Sequence, residues 1–245
     1  MTTVGLSPIS CRMPTAPTSS EITLKKTGGI DLERLSASKI RILEAAESLY
    51  TTNAIEAVSL REIALAAGNQ NTNAVQYHFG GKDELLQAIF SWRVWQMESP
   101  RQAMLAHAER DNKLSDLRTL AEVLCLPLLD LTDAEGRHSY AAFLIQYQLR
   151  MRPLGISHAA DEPTFSNSNI ARLLHLIYDC MQVPDRDKGD YRVALGHLIF
   201  ANMLVLSDVE QLPRRDPQAF AKRIEVTLDM VAAAFSAGAS GGHSR

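Results

Sequence analysis

Hydrogen-bonding side chains with little charge cluster between residues 71 and 78 of this 245-residue sequence. Three of them, Asn71, Asn73 and Gln76, carry amides. An Asn or Gln amide can pair bidentately with N6 and N7 of adenine, so these residue types suit the reading of base edges in DNA. We therefore predict base contacts for Asn71, Asn73 and Gln76.

A second group of side chains in the same stretch suits the phosphates of DNA. Lys82 follows Gly80 and Gly81 and opens a predicted helix, whose free N–H groups attract anions together with the ammonium. Hydroxyl, guanidinium and imidazole groups nearby can also donate to phosphate oxygens. The predicted phosphate contacts are Ser59, Arg61, Thr72, Tyr77, His78 and Lys82.

Two short helices are predicted to position these side chains. The first has an apolar stripe at the spacing of one helix face: Leu60, Ile63, Ala64 and Ala67. Ser59 and Glu62 form a capping box at its start, and Gly68 supplies the positive φ that ends it.

The second helix is predicted from Thr72 to Phe79, with only Val75 and Phe79 strongly apolar. Two such helices form a helix-turn-helix, in which the second helix enters the major groove. A helical hairpin packed in an all-α core is the structural alternative for the same spacing.

The run REIALAAG…NAVQYHFGGKDELL, preceded by ILEAAESLYTTNAIEAVSL, resembles the TetR family of bacterial one-component transcription regulators. The resemblance is close over residues 36–95. It implies a homodimeric regulator, by preference a repressor, whose two chains pair through a four-helix bundle. Asn53 stands where the family usually has Gly, and we predict the left-handed conformation there. The spacing from Gly68 to Tyr77 is one residue longer than in most members.

The charge distribution favours a different interpretation. The net charge is −3, and residues 1–95 hold nine Lys/Arg and nine Asp/Glu, so the predicted DNA-binding half is neutral. Because phosphate contacts usually dominate DNA affinity, neutrality is the best support for the alternative. That alternative is a helical small-molecule-binding protein or enzyme with a purely structural helix-turn-helix.

Catalytic and metal-binding motifs are missing from the sequence. It has no HExxH, P-loop or dinucleotide fingerprint, and His175 with Asp179 offers only two metal ligands. We predict no enzyme activity, no catalytic residues, no metal site and no cofactor. Cys11, Cys125 and Cys180 are odd in number and far apart, which favours the cytoplasm.

The chain is predicted to be all-α with an N-terminal three-helix DNA-binding domain, linked by a fourth helix to a C-terminal helical domain for ligand binding and dimerisation. The fourth helix is predicted from Lys82 to about Glu98, and Pro100 marks a break or a new helical start. Residues 1–33 are predicted to be a disordered leader, 34–82 the DNA-binding domain, 83–236 the C-terminal domain and 237–245 a flexible tail. The remaining predicted helices are Arg101–Glu109, Leu114–Leu131, Glu135–Met151, Thr164–Met181, Asp187–Val209 and Pro217–Phe235.

Polar groups scattered through these apolar helices can line a ligand pocket. His138, Tyr140 and His158 belong to this group, although each is also an ordinary partly buried side chain. The predicted ligand-binding residues are Trp95, Phe143, Tyr147, His175 and Tyr178.

The last two helices carry apolar stripes that are predicted to form the dimer. The stripes are Leu195, Ile199, Asn202, Met203 and Leu206 in one helix, and Phe220, Ile224, Leu228, Val231 and Phe235 in the other. The predicted function is thus sequence-specific DNA binding by a homodimeric repressor, released from a palindromic operator by a small-molecule effector, with no membrane association. Transcription activation is equally compatible with the sequence.

Overall fold

The protein is built almost wholly of helices, which confirms the predicted all-α fold. The computed structural model describes residues 26–27, 30–161, 166, 168–182 and 186–237. Within these ranges the exception to helices and turns is one antiparallel pair of two-residue strands, β1 (Lys26–Thr27) and β2 (Ile30–Asp31). Most of the predicted leader and tail lies outside the described residues.

Three helices form the N-terminal domain: α1 (Ala37–Thr52), α2 (Leu60–Ala66) and α3 (Ala74–Phe79). Helix α1 begins directly after Ser36, whose hydroxyl accepts from the Lys39 backbone N–H at 3.3 Å and caps its first turn.

The prediction for Asn53 is wrong. Its φ is −121° and its ψ is 152°, an extended conformation rather than a left-handed one. The Asn53 backbone N–H and side-chain amide both donate to the Leu49 carbonyl, each at 3.1 Å. These two bonds satisfy the end of α1 without a positive φ.

Helix α4 runs from Lys82 to Arg110 without interruption, so the predicted break at Pro100 is wrong. A proline inside a helix removes one hydrogen bond and costs about 3 kcal/mol in isolation. Buried side chains on both sides of Pro100 offset that cost, with Met97 before it and Leu105 after it. The separately predicted helix Arg101–Glu109 is the second half of α4.

The C-terminal helices are mostly shorter than predicted. A 3-10 turn, Leu126–Asp130, continues from the end of α5, and Pro127 lies within it. A π-helical turn, Tyr147–Met151, follows α6 in the same way. The bounds are α5 (Leu117–Cys125), α6 (Ser139–Gln146), α7 (Asn169–Met181), α8 (Arg186–Val209), α9 (Leu212–Arg215) and α10 (Pro217–Ser236).

The N-terminal helices pack directly on the C-terminal ones. Helix α1 contacts α6 as well as α2 and α4. The first half of α4 packs on α3, and α4 also packs on α5 and α7. A shared core of buried apolar residues therefore extends from Ile42 in α1 to Phe235 in α10.

Helices α8 and α10 pack closely along their length. A Cβ atom on Gly196 would lie 2.6 Å from Cε1 of Phe235, so only glycine permits this approach. The predicted α10 stripe faces this interface, with Leu228, Val231 and Phe235 fully buried inside the chain. That stripe therefore belongs to the core of one chain.

Candidate DNA-binding site

The predicted capping box positions the start of α2. The Ser59 hydroxyl accepts from the Glu62 N–H at 3.1 Å, and Glu62 Oε2 accepts from the Ser59 N–H at 2.7 Å. These bonds to Ser59 hold the pKa of the Glu62 carboxyl below its usual value. Ser59 and Arg61 are both exposed, so the first turn of α2 presents a hydroxyl and a guanidinium to solvent.

Gly68 ends α2 as predicted, with φ at +72°. The Asn69 N–H donates to the Ala64 carbonyl and the Gly68 N–H to the Leu65 carbonyl. This pair of bonds is a Schellman motif, which satisfies the last carbonyls of the helix and turns the chain towards α3.

Helix α3 begins at Ala74, two residues later than the predicted start at Thr72. The Asn71 side chain explains the delay, because its Oδ1 accepts from the Asn73 N–H at 3.0 Å and forms a local turn. Asn71 and Asn73 are exposed in the turn before α3, and Thr72 is half-buried between them.

Helix α3 buries one side and exposes the other. Val75 and Phe79 pack in the core, whereas Gln76 is exposed and Tyr77 is 84 % exposed. The half-buried His78 ring contacts the Tyr77 ring edge to face, with centroids 5.1 Å apart. Apart from this edge contact, the Tyr77 ring is largely open to solvent.

Two of the predicted DNA contacts have partners inside the protein. The Gln76 amide donates to the Gly80 carbonyl. Lys82 Nζ donates to the carbonyls of Ile55 and Glu56, at 3.1 and 2.9 Å. Because an ammonium has three donors, Lys82 keeps one for a phosphate while it fastens the preceding loop to α4.

The charge of this domain becomes more favourable to DNA once burial is considered. Residues 34–82 hold five Lys/Arg and four Asp/Glu. One of the acids, Glu47, is only 1 % exposed and is paired with Arg93. The exposed surface of this segment therefore carries a small positive excess.

A family model of bacterial regulatory proteins, the tetR family, matches residues 42–89. The matched stretch begins within α1, includes α2 and α3, and ends within α4. Residues 42–89 therefore form a TetR-family domain. A comparison with curated proteins finds no match.

The TetR-family domain makes the chain a DNA-binding transcription regulator. The side chains predicted to contact DNA all lie in its α2, its connecting turn, its α3 and the first residue of α4. Within this group Ser59, Arg61, Asn71, Asn73, Gln76 and Tyr77 are exposed, and Thr72, His78 and Lys82 are half-buried.

Beyond the matched residues, a cavity of about 90 Å³ lies between α4, α5, α6, α7 and α8. Of the five predicted ligand-binding residues, Tyr178 lines it. Phe143 and Tyr147 pack instead around Phe90 in an aromatic cluster, with ring centroids 5.4 and 4.7 Å from it. Trp95 and His175 also lie outside the lining, Trp95 half-buried and His175 exposed.

The sequence reasoning missed Arg101, which lines the cavity and is 2 % exposed. A signal for it was present, because Arg101 lies four residues from both Met97 and Leu105 in one helical stripe. An arginine at a core position of such a stripe indicates a buried charge with a partner or a function. Tyr140 and His158, noted only as polar groups in apolar helices, also line the cavity, as does His197.

A buried junction joins the DNA-binding domain to the cavity wall. Arg93 of α4 makes two hydrogen bonds to Glu47 of α1, at 2.7 and 2.8 Å. The Ser139 hydroxyl, at the start of α6, donates to the same carboxylate at 2.6 Å. The next residue, Tyr140, lines the cavity, and its hydroxyl is hydrogen-bonded to His158 Nε2 at 3.1 Å.

In the described residues, side chains that could bind a metal ion are not grouped together. Among the residues that the structure describes, no group of three or more His, Cys, Asp and Glu side chains is close enough to hold a metal ion. Cys125 is buried, and burial raises the pKa of its thiol, which makes it a poor nucleophile and a poor ligand.

Proposed function

We propose that the chain is a homodimeric, cytoplasmic repressor that leaves a palindromic operator when a small molecule binds its C-terminal domain. The observation that carries the ligand response is the junction of Glu47, Arg93 and Ser139. It ties α1, which braces the helix-turn-helix, to α6, whose next residue lines the cavity. The proposal includes no catalytic step and no cofactor.

The proposed base contacts are Asn71, Asn73 and Gln76. All three are exposed, and Gln76 can reach a base by releasing the Gly80 carbonyl. The proposed phosphate contacts are Ser59, Arg61, Thr72, Tyr77, His78 and Lys82. The exposed Tyr77 hydroxyl and the third donor of Lys82 support this division, because neither has a partner among the residues that the structure describes.

Apolar side chains on the outer side of α8 and α10 support the homodimer. They are between 39 % and 77 % exposed: Tyr191, Leu195, Leu206, Val209, Val226 and Met230. The segment Lys188–Val209 has a mean hydropathy of 1.4, high enough for a membrane-crossing helix, because it is apolar on this outer side as well. A second copy of the same helix pair would cover both stripes by two-fold symmetry.

The dimer is tested by charged substitutions in this outer face. The double variant Leu206→Glu/Met230→Glu should be monomeric in light scattering after gel filtration, with an unchanged helical circular dichroism spectrum. Gln102→Glu, at an exposed position of α4, should remain dimeric. A wild-type chain that is monomeric at micromolar concentration would contradict the dimer, as would a dimer that persists in the double variant.

Ligand release follows from a two-state equilibrium. An effector that shifts Tyr140 also shifts Ser139, because the two residues are neighbours in α6, and Ser139 shares the Glu47 carboxylate with Arg93. A change at this junction reorients α1 and α4 and separates the two recognition helices from their half-sites. By linkage, the effector binds the DNA-free form more tightly.

Selection of bound sequences from a random DNA pool tests the DNA-binding part. We expect a palindromic consensus with wild-type protein and none with Gln76→Ala/Tyr77→Ala. Recovery of no consensus at low salt would favour the alternative of a helical small-molecule-binding protein or enzyme. A consensus that the double variant also selects would contradict the proposed recognition residues.

A further inference from the structure

Arg101 is the most unusual charged residue in the described chain, because it is fully buried and poorly paired. Its Nε and Nη1 atoms have no hydrogen-bond partner among the residues that the structure describes. Nη2 contacts only the Met97 sulfur, at 3.4 Å. A buried donor without a partner costs about 1–3 kcal/mol, and more when it is charged, so such groups persist where they serve a function.

Glu98 is the nearest acid, and it does not satisfy Arg101. Its Oε1 lies 3.7 Å from Arg101 Nη1, beyond hydrogen-bond distance. The same carboxylate instead accepts from the backbone N–H groups of Asn169 and Ile170, at 2.6 and 3.2 Å. Glu98 thus caps the start of α7, and the helix dipole there takes up part of its charge.

The other walls of the cavity are suited to an apolar body with one anionic end. Desolvation lowers the pKa of His158 to about 3 and that of His197 to about 4, so both rings are neutral at pH 7. Aliphatic side chains form much of the rest, namely Val94, Leu124, Leu144, Ile170, Leu174, Val193 and Ala194.

Two acids in the lining already have partners. Asp161 pairs with Arg152 at 3.3 Å, and Asp190 accepts from the Tyr178 hydroxyl. A second anionic group on a ligand would meet these carboxylates without a free cation beside it. The cavity therefore disfavours a dicarboxylate.

The size of the cavity limits the ligand further. A water molecule needs about 10–15 Å³ of such space, so 90 Å³ holds roughly six to nine non-hydrogen atoms. This number fits a short aliphatic or a single-ring carboxylic acid.

We propose that this cavity binds a small monocarboxylate, whose carboxylate pairs with Arg101 and whose apolar body lies against the aliphatic side chains. The proposal gives the chemical class of the effector and rests on the proposed function only for its regulatory consequence. The Nε and Nη1 donors of Arg101, which have no hydrogen-bond partner among the described residues, would donate to the ligand carboxylate.

Hexanoate and benzoate are suitable probes, with hexanamide as the neutral control and glutarate as the dicarboxylate control. Wild-type protein should unfold at a higher temperature with either monocarboxylate, and calorimetry should show one site per chain. Hexanamide and glutarate should bind at least tenfold more weakly. No stabilisation by either monocarboxylate at millimolar concentration would overturn the proposal, as would equal binding of hexanamide.

The variant Arg101→Met separates a ligand-binding role from a structural one. It should bind hexanoate roughly 10- to 100-fold more weakly. Its unfolding temperature without ligand should equal or exceed that of wild type, because an unsatisfied buried charge is removed. A lower unfolding temperature together with unchanged hexanoate affinity would show that Arg101 is structural.

Ala194→Leu keeps the proposal testable if the arginine variant does not fold. Ala194 lines the cavity, and the larger side chain fills it without altering Arg101. We expect hexanoate binding to disappear, and its retention would contradict the cavity as the site.

DNA binding is measured separately, so that this inference and the proposed function can fail independently. Hexanoate that binds at Arg101 but leaves operator affinity unchanged would support this site and contradict the ligand-release mechanism. A chain that selects a palindrome but binds no monocarboxylate would retain its regulatory function and lose this site.

Discussion

The surface of α3 and the interior cavity place polar groups in opposite circumstances. On α3, Gln76 and Tyr77 project into solvent, where water satisfies them at little cost to stability. In the cavity, Arg101 and His197 hold buried polar atoms that have no hydrogen-bond partner among the described residues. Residues on the surface of α3 can therefore be substituted with little effect on stability. The unpaired polar groups of the cavity lower the stability of the protein and are suited to binding a specific ligand.

The largest expected effect is at the junction between these regions. Glu47→Ala should lower the free energy of unfolding by about 3–5 kcal/mol, because it leaves Arg93 buried without its partner. Chemical denaturation measures this loss. Glu44→Ala, at an exposed position of the same helix, should change stability by less than about 0.5 kcal/mol. Similar losses for the two variants would mean that the junction adds nothing to stability.

The buried histidines of the cavity should make the free energy of unfolding fall at acid pH. His158 and His197 bind protons in the unfolded chain near pH 6.5 but, when folded, only near pH 3 and pH 4. Between these values the unfolded state holds more protons, so stability falls as the pH falls below 6.5. The loss from pH 6.5 to pH 5 should be about 2 kcal/mol for each histidine.

Denaturation curves at several pH values measure this effect, and two variants assign it. His197→Gln should remove about half of the acid sensitivity. His107→Gln, whose side chain is 68 % exposed, should leave the sensitivity unchanged. Equal pH profiles for wild type and His197→Gln would contradict a buried neutral imidazole at residue 197.

Substitution of Gln76 in α3 should change DNA sequence recognition without changing the stability of the protein. Gln76→Ala should lose roughly 1–3 kcal/mol of discrimination between the operator and a scrambled duplex, measured by titration with labelled DNA. Lys82→Ala should weaken binding to both duplexes and reduce its salt dependence. The exposed Gln218→Ala in α10 is the matched control. Equal weakening on both duplexes for Gln76→Ala would remove Gln76 from the base contacts.

The smallest expected effect is at the start of α2. Ser59→Ala should cost about 1 kcal/mol of stability, because the Glu62 N–H loses its acceptor. Thermal unfolding measures the change. The exposed Ser48→Ala in α1 should cost nothing, so a matching loss there would show that the capping box contributes no stability.

The features that the sequence predicted well are local in the chain. Ser59 caps α2 through Glu62, three positions away, and Gly68 ends α2 through its own φ. Each depends on a few neighbouring residue types, so a single sequence contains the whole signal.

The features that were missed or wrong depend on distant packing. Pro100 does not break α4, because side chains on both sides of it, Met97 and Leu105, are buried in the core. The cavity gathers Arg101, Tyr140, His158 and His197 from four separate segments. No spacing rule connects such residues before the fold is known, although the position of Arg101 in an apolar stripe was a usable sign.

The junction at Glu47 also sets a rule for building chimeras. Its three side chains come from α1, α4 and α6, so residues 34–82 supply only one of them. A graft of that segment onto another sensor would leave Glu47 buried without a cation. A chimera that joins residues 34–82 to another ligand-binding domain must therefore also include Arg93 and Ser139, or equivalent side chains at those two positions.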